Sequence, residues 1–304
     1  MTSTGRKHAE EHRSGPAGEV REIAVVGAGV MGSQIAMVCA LAGYSTSLVD
    51  LSDELLDGAR DALQSRMDRD VSRGRRARDD VDRAMERLRL STDRATAVSE
   101  CDFVIEAAAE SLEVKRRIFE DLDRETPRRT ILATNSSNIV SSQLADSTTR
   151  PDRVLNLHFF NPALVMECVE VVPHDGTAET VVDTSMELVR SLGKSGVRLR
   201  REIPGFVANR ILGAIRREAL ELHDAGVADV EDIDRAARTA LRHPMGPFEL
   251  MDLVGIDVVH LIRLAEFEQT GDEGALPHPA VRRLYEAGHF GRKTGRGWYT
   301  YDDS

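Results

Sequence analysis

The chain has 304 residues, of which 41% are hydrophobic, so it is long enough for two domains with buried cores. No apolar run approaches the ~20 residues that a membrane-spanning helix needs, and we expect no membrane segment. The net charge of -11 argues against general nucleic-acid binding. The three cysteines show no paired spacing, which predicts neither a disulfide framework nor a metal site.

The first twenty residues are polar and of mixed charge. They lack the apolar segment of a secretory signal and contain too many acids for a transit peptide. We therefore expect residues 1–20 to form a disordered tail, and the protein to be cytoplasmic.

A nucleotide-binding fingerprint follows the tail. An apolar strand at 23–26 leads into "GAGVMG" and an apolar helix, and a second strand at 45–49 ends on Asp50. A glycine turn between strand and helix, with an acid about twenty residues later, is typical of dinucleotide-binding domains. Asp50 would bind the ribose 2′-OH and repel a 2′-phosphate, which favours NAD over NADP. The turn residues predicted to hold the cofactor are Gly27, Gly29, Val30, Met31 and Gly32.

The three glycines of this turn have different physical tasks. Gly27 permits a tight turn, and Gly29 lets the backbone approach the pyrophosphate. Gly32 lets the helix pack closely on the strand. The start of the helix offers free N–H groups to the phosphates.

Residues 53–90 are highly charged and carry apolar residues at helical spacing. Gly74 interrupts them, which predicts a helical hairpin. The turn of this hairpin carries four arginines: Arg73, Arg75, Arg76 and Arg78. Such a run is either a solvated surface or a contact for an anionic ligand, which the acidic remainder of the protein would otherwise repel.

Strand and helix patterns alternate from the end of the hairpin to about residue 200. This alternation predicts an α/β fold, a Rossmann-like domain over 21–203 with a doubly wound, mostly parallel sheet. Ligands gather beyond the carboxyl ends of such strands. The polar residues predicted to lie at these ends are Glu110, Asn135, Ser136, Ser137 and His158.

The strand patterns stop at Ile203-Pro204-Gly205, which we interpret as a hinge. Residues 204–304 show helical spacing throughout, which predicts an all-helical C-terminal domain. Its helices are apolar enough to predict a partner subunit, most simply a second copy of the chain.

A histidine and a glutamate interrupt two apolar strand patterns. His158 lies in "LNLHFF", and Glu170 lies in "CVEVV" twelve residues later. One interpretation is a satisfied core histidine beside an exposed edge glutamate. The other is a functional pair, because Asn161-Pro162 turns the chain between the two strands.

From Arg21 to Tyr301 the chain resembles the L-3-hydroxyacyl-CoA dehydrogenase family, in the short form often called 3-hydroxybutyryl-CoA dehydrogenase. The segments that carry the resemblance are "VVGAGVMGSQIA", "VIEAAAE", "ATNSSN", "HFFNP", "VEVV", "PGFVANR", "HPMGPFELMDLVGID" and "FGRKTGRGWYTY". Relatives that act on sugar acids carry a different pair between the histidine and Asn-Pro, so "HFFNP" favours acyl thioesters.

The resemblance implies roles for individual residues. His158 matches the family's catalytic histidine and Glu170 its carboxylate partner. Ser137 and Asn209 match the two polar residues around the reacting oxygen. The residues expected to contact the cofactor or organise the site are Glu110, Lys115, Asn135, Ser137, Asn161 and Lys293.

The expected function is NAD-dependent interconversion of (S)-3-hydroxyacyl-CoA and 3-oxoacyl-CoA, with a short acyl chain. His158 would exchange a proton with the hydroxyl group, and Glu170 would stabilise the imidazolium. Two alternatives keep this chemistry but change the substrate. In one the acyl group is carried by an acyl carrier protein, and in the other the substrate is a free hydroxy acid. An alternative of another class is a non-catalytic, structural or sensory NAD-binding protein. The resemblance also implies a homodimer formed through the C-terminal domain.

Overall fold

The computed structural model describes residues 20–301, apart from the side chains of residues 269 and 270. The predicted tail lies outside the described residues except for Val20, whose side chain is buried. The chain divides into two compact units, of which the first ends at Phe206 and the second begins at Val207. Among the described residues, no helix combines the length and apolar composition that crossing a membrane requires.

Unit 1 is built on one eight-stranded sheet. Its strands are β1 (Glu22–Val26), β2 (Ser45–Val49), β3 (Leu88–Ser91), β4 (Phe103–Glu106), β5 (Ile131–Thr134), β6 (Val154–Phe159), β7 (Cys168–Pro173) and β8 (Ser195–Arg198). They lie in the order β3-β2-β1-β4-β5-β6-β7-β8, and only β6 and β7 pair antiparallel. The predicted doubly wound, mostly parallel sheet is confirmed.

Helices cover both faces of this sheet, which explains why its central strands are nearly continuous apolar runs. The helices of unit 1 are α1 (Val30–Leu41), α2 (Asp53–Ser72), α3 (Arg78–Arg87), α4 (Arg94–Val98), α5 (Leu112–Glu125), α6 (Ser142–Ala145) and α7 (Glu179–Ser191). The long helix α1 is buried over most of its length and packs in the main core with β1 and β2.

The predicted helical hairpin over 53–90 is wrong at its carboxyl end. Helices α2 and α3 form the hairpin, but α3 ends at Arg87, and "LRLS" becomes the edge strand β3 beside β2. Leu88 lies three residues after Met85, so it continued the helical spacing. Leu88 and Leu90 are half-buried around exposed Arg89, the alternation of an edge strand.

Unit 2 is helical, as predicted. Its helices within the described residues are α8 (Ala208–Asp224), α9 (Val230–Thr239), α10 (Pro247–Val254), α11 (Ile256–Thr270) and α12 (Pro279–Glu286). A buried carboxylate fixes one of the junctions, because Asp234 accepts hydrogen bonds from the N–H groups of Phe248 and Glu249 at the start of α10. The same carboxylate accepts from the hydroxyl of Tyr299.

The last two residues of unit 1 have an unusual backbone. Gly205 has a φ of 75° and Phe206 a φ of 49°. Glycine adopts this left-handed region freely, but for a bulky aromatic residue it costs ~1–3 kcal/mol and persists only where packing enforces it. The ring of Phe206 is fully buried with Val172 and Leu199. This packing holds the strained turn in place.

Candidate active site

The glycine turn joins β1 to α1 at the carboxyl edge of the sheet. Gly27 has a φ of 107°, and its N–H donates to the carbonyl oxygen of Val49 at 2.8 Å. A Cβ on Gly32 would lie 1.8 Å from the carbonyl oxygen of Gly27, so only glycine allows α1 to pack this closely. A Cβ on Gly29 would meet nothing within 4 Å. Gly29 therefore marks the open side, where a phosphate can approach the start of α1.

Asp50 lies beside this turn, directly after β2. One carboxylate oxygen accepts from the N–H of Ala28 at 2.5 Å, and the other accepts from the N–H of Leu51 at 2.6 Å. In the first turn of α1, Val30 is 67% exposed and Met31 is half-buried. These residues together fit NAD. The glycine turn and the start of α1 offer N–H groups to a pyrophosphate, and Asp50 offers a carboxylate to ribose hydroxyls.

A buried ion pair next to the glycine turn was missing from the sequence prediction. Glu106, at the end of β4, is fully buried, and Lys115 Nζ donates to its two carboxylate oxygens at 2.7 and 2.9 Å. The carboxylate also accepts from Thr134 Oγ1 at 2.6 Å and from the N–H of Ala108 at 2.7 Å. These partners offset the cost of burying the charge. A lone acid inside the apolar strand "FVIE" was the signal that could have revealed Glu106.

Glu110 lies four residues beyond the end of β4, in the loop before α5, and not at the strand end as predicted. Its carboxylate accepts a short hydrogen bond from Ser136 Oγ, and Lys115 Nζ lies 3.5 Å from the carboxylate. Glu110 and Lys115 thus link the loop after β4 to the loop after β5.

The loop after β5 contains three of the predicted polar residues, Asn135, Ser136 and Ser137. Asn135 Oδ1 accepts from the N–H of Phe159 at 2.9 Å, which ties this loop to the end of β6. Ser137 is half-buried, and its carbonyl oxygen accepts from the N–H of Gly205 at 3.2 Å. The hydroxyl that caps the turn here belongs to Ser136, which accepts from the N–H of Ile139 at 2.8 Å.

His158 and Glu170 lie directly opposite each other on the antiparallel strands β6 and β7. His158 Nδ1 and Glu170 Oε2 are 2.8 Å apart, and the two residues are 5% and 1% exposed. The alternative of an exposed edge glutamate is wrong. With the ring proton on Nδ1 donated to the carboxylate, His158 Nε2 remains as the nitrogen that can accept a proton.

Two aromatic rings pack near the imidazole. The ring centroids of Phe160 and Phe206 lie 4.4 and 5.3 Å from that of His158. Apolar surroundings of this kind lower the local dielectric and strengthen the interaction between the imidazole and its carboxylate partner. The arrangement can exchange a proton with a substrate and stabilise the charge that results.

Two hydrogen bonds from Lys194 anchor the loop between β6 and β7. Lys194 Nζ donates to the carbonyl oxygens of Ala163 and Met166, both at 2.8 Å. Burial and the positive charge of Arg76 lower the pKa of Lys194. Asn161, which was predicted to contact the cofactor, is exposed in this loop before a cis bond to Pro162.

The four arginines of the hairpin turn divide into two pairs. Arg78 lies 2.7 Å from Asp68, and its hydrogen bond lowers the pKa of that carboxyl group. Arg75 lies 3.4 Å from Asp70. These two guanidinium groups are therefore already matched with acids of the hairpin. The other pair is Arg73 and Arg76. Arg73 is exposed, and the charge of Arg76 lowers the pKa of Lys194.

Two predicted site residues belong to unit 2. Asn209 is exposed in the first turn of α8. Lys293 donates to Asp257 Oδ2 at 2.6 Å from a short 3₁₀ turn, and its ammonium lies 5.7 Å from the ring centroid of Phe290. The roles of Asn209 and Lys293 stay predictions.

The fold and the NAD-binding site define an NAD-dependent oxidoreductase. Residues 22–203 match the family model "3-hydroxyacyl-CoA dehydrogenase, NAD binding domain", and residues 205–301 match the model of the C-terminal domain of the same family. The chain belongs to the 3-hydroxyacyl-CoA dehydrogenase family.

Individual relatives cover nearly the whole chain. A probable 3-hydroxybutyryl-CoA dehydrogenase of Bacillus subtilis is 37% identical over 94% of this chain and 99% of its own length. The crystal structure of FadB2 from Mycobacterium tuberculosis has a TM-score of 0.85 at 39% identity, and covers 93% of this chain and 99% of that one. A diketoreductase structure has a TM-score of 0.83 at 33% identity, with 93% and 99% covered.

Proposed function

We propose that this enzyme interconverts (S)-3-hydroxyacyl-CoA and 3-oxoacyl-CoA, with a short acyl chain such as that of 3-hydroxybutyryl-CoA. The observation that carries the proposal is the buried contact of 2.8 Å between His158 and Glu170. His158 is near the carboxyl end of β6, and this is the edge of the sheet that carries the glycine turn. A proton-exchanging pair and an NAD site at one edge are what alcohol oxidation requires.

His158 handles the proton in this reaction. Its Nε2 takes the proton of the substrate hydroxyl. NAD, which the glycine turn and Asp50 would hold, would supply the hydride acceptor for the carbon that carries this hydroxyl. Glu170 stabilises the imidazolium and keeps the other ring proton on Nδ1. In the direction of reduction the imidazolium returns its proton to the substrate oxygen.

Ser137 is proposed to donate a hydrogen bond to the substrate oxygen. It lies in the loop after β5, beside the edge that carries His158. Loss of one such donor typically raises the barrier by ~2.7–4 kcal/mol. Ser137→Ala is expected to lower kcat accordingly, whereas Ser142→Ala, an exposed serine in α6, is the matched control.

The anionic part of CoA is proposed to bind Arg73 and Arg76, because Arg75 and Arg78 are already paired with acids. Arg76→Ala should raise the KM for a CoA ester more than the KM for a truncated thioester. Arg78→Ala is the matched control and should change neither value. Equal changes in both KM values for Arg76→Ala would reject this assignment.

The carrier of the acyl group decides between the proposed substrate and the alternatives. The similarity to a diketoreductase, described for dicarbonyl compounds, favours a free dicarbonyl compound as the second candidate. The test measures the oxidation of NADH with acetoacetyl-CoA, with the same acyl group on an acyl carrier protein, and with free acetoacetate. Highest kcat/KM with the CoA ester supports the proposal. Activity restricted to either of the others, or absent altogether, rejects it.

A homodimer is proposed through unit 2. Several large apolar side chains on α8, α10 and α11 are about half exposed, as is expected of residues that form an interaction surface. They include Ile211, Leu253, Leu261 and Ile262. Leu261→Asp is expected to produce monomers in sedimentation velocity, whereas Leu51→Asp, which changes an exposed residue of unit 1, should not. A monomeric wild-type protein would reject the dimer.

A further inference from the structure

One short turn at the end of unit 1 contacts both His158 and Ser137. The ring centroid of Phe206 lies 5.3 Å from that of His158, and the two ring planes are tilted by 58°. The preceding N–H, that of Gly205, donates to the carbonyl oxygen of Ser137 at 3.2 Å. The turn thus contacts two residues that the proposed mechanism uses, although neither Gly205 nor Phe206 has a part in the chemistry.

The ring of Phe206 is packed in a small core cluster, and its backbone lies in the left-handed region. It is 0% exposed and packs with Val172, Leu199 and the half-buried Val140. Its backbone has a φ of 49°, and its N–H donates to the carbonyl oxygen of Ile203 at 2.9 Å. An aromatic residue in the left-handed region is a costly choice, and such outliers cluster at functional sites.

The hydrogen bond to Glu170 does not by itself fix the orientation of the imidazole ring. The torsion that turns an imidazole about its Cβ–Cγ bond has broad minima, so a single hydrogen bond at Nδ1 allows the ring to rock. Rocking displaces His158 Nε2, which must meet the substrate hydroxyl. Misplacement of a reacting group by about 1 Å can cost about 100-fold in rate.

We propose that Phe206 is a positioning residue whose ring holds the His158 imidazole in the orientation that meets Glu170. The expected effect on catalysis rests on the proposed function, whereas the expected effect on the orientation of the imidazole does not. It assigns Phe206 a role in the reaction without contact with substrate or cofactor.

The test compares three variants of the full-length enzyme. Phe206→Leu removes the ring, and Phe206→Met keeps more of the side-chain volume in case the first variant does not fold. Phe119→Leu is the matched control, because Phe119 is an equally buried ring in a separate core cluster of unit 1. Circular dichroism and thermal unfolding establish that each variant is folded.

Two readouts distinguish positioning from a structural role. The first is the NMR signal of the proton on His158 Nδ1 in protein labelled with ¹⁵N-histidine, assigned by its loss in His158→Gln. The second is kcat and KM for acetoacetyl-CoA and NADH. We expect Phe206→Leu and Phe206→Met to broaden or abolish the signal and to lower kcat about 10- to 100-fold, with KM for NADH within about twofold. Phe119→Leu should preserve both.

Each outcome decides the proposal. A sharp signal or an unchanged kcat in the folded Phe206 variants would overturn it, and so would losses of equal size in Phe119→Leu. If the wild-type enzyme does not turn over acetoacetyl-CoA, the proposed function fails. The NMR comparison then still decides whether Phe206 positions the imidazole.

Discussion

Replacing Glu170 with glutamine removes one charge from the buried pair and leaves the shape of the side chain nearly unchanged. The side-chain amide oxygen can still accept the Nδ1 proton of His158, so the ring keeps its hydrogen bond. What the variant loses is the negative charge that stabilises the imidazolium formed when the substrate hydroxyl gives up its proton.

The distance in the structure sets the size of the effect. Two unit charges 2.8 Å apart attract each other by about 6 kcal/mol at an effective dielectric constant of about 20. Part of this attraction is offset by the cost of burying the charges, and breaking a buried pair typically costs ~3–5 kcal/mol. Since ~1.36 kcal/mol corresponds to a tenfold change in rate, kcat/KM should fall about 10²- to 10⁴-fold.

The assay measures NADH oxidation with acetoacetyl-CoA and, separately, NADH binding by fluorescence. Glu170→Gln should lose turnover while its Kd for NADH stays unchanged. Glu167→Gln is the matched control, because Glu167 is an exposed carboxylate three residues earlier in the chain. Turnover near the wild-type value in Glu170→Gln would refute the proposed role of the carboxylate.

Burial and the charge of Glu170 raise the pKa of Cys168, so Glu170→Gln should lower that pKa and speed the alkylation of Cys168, as followed by mass spectrometry. Lys115→Met leaves the Glu106 carboxylate buried without its cation, and the free energy of unfolding in urea titrations should fall by ~3–5 kcal/mol. Gly29→Ala adds a methyl group where the pyrophosphate approaches, so calorimetry should show NADH binding weakened about tenfold or more, with an unchanged Tm.

Each of these predictions has a contrary result. Equal rates of Cys168 alkylation in wild type and Glu170→Gln would mean that the charge of Glu170 does not raise the pKa of Cys168. Wild-type stability of Lys115→Met would show that the other donors suffice for Glu106. Undiminished NADH affinity of Gly29→Ala would place the pyrophosphate elsewhere.

The parts of the fold that local patterns encode were predictable. The glycine turn and the apolar strands around it are local features, and the structure places Gly27 and Gly32 in the conformation and packing that the pattern requires. The edge strand β3 was not predictable in the same way. Its four residues are only half-buried, and Leu88 continues the spacing of the preceding helix.

The candidate site was predictable where a polar residue interrupts an apolar strand. His158 and Glu170 stood out for this reason, but their direct opposition depends on the antiparallel register of β6 and β7, which sequence spacing alone does not give. Glu106 carried the same signal and was overlooked beside the more prominent Glu110. The pairing of Arg78 with Asp68 depends on how the hairpin closes, so the hairpin arginines could not be sorted in advance.

The most direct test of the account is the rate at which His158→Gln oxidises NADH with acetoacetyl-CoA, with NADH and substrate binding measured on the same samples. Glutamine cannot take up or release the proton, so we predict that both ligands still bind and that turnover falls by about 10²- to 10⁴-fold. Turnover at the wild-type rate would contradict the account, because the proton would then travel through another group.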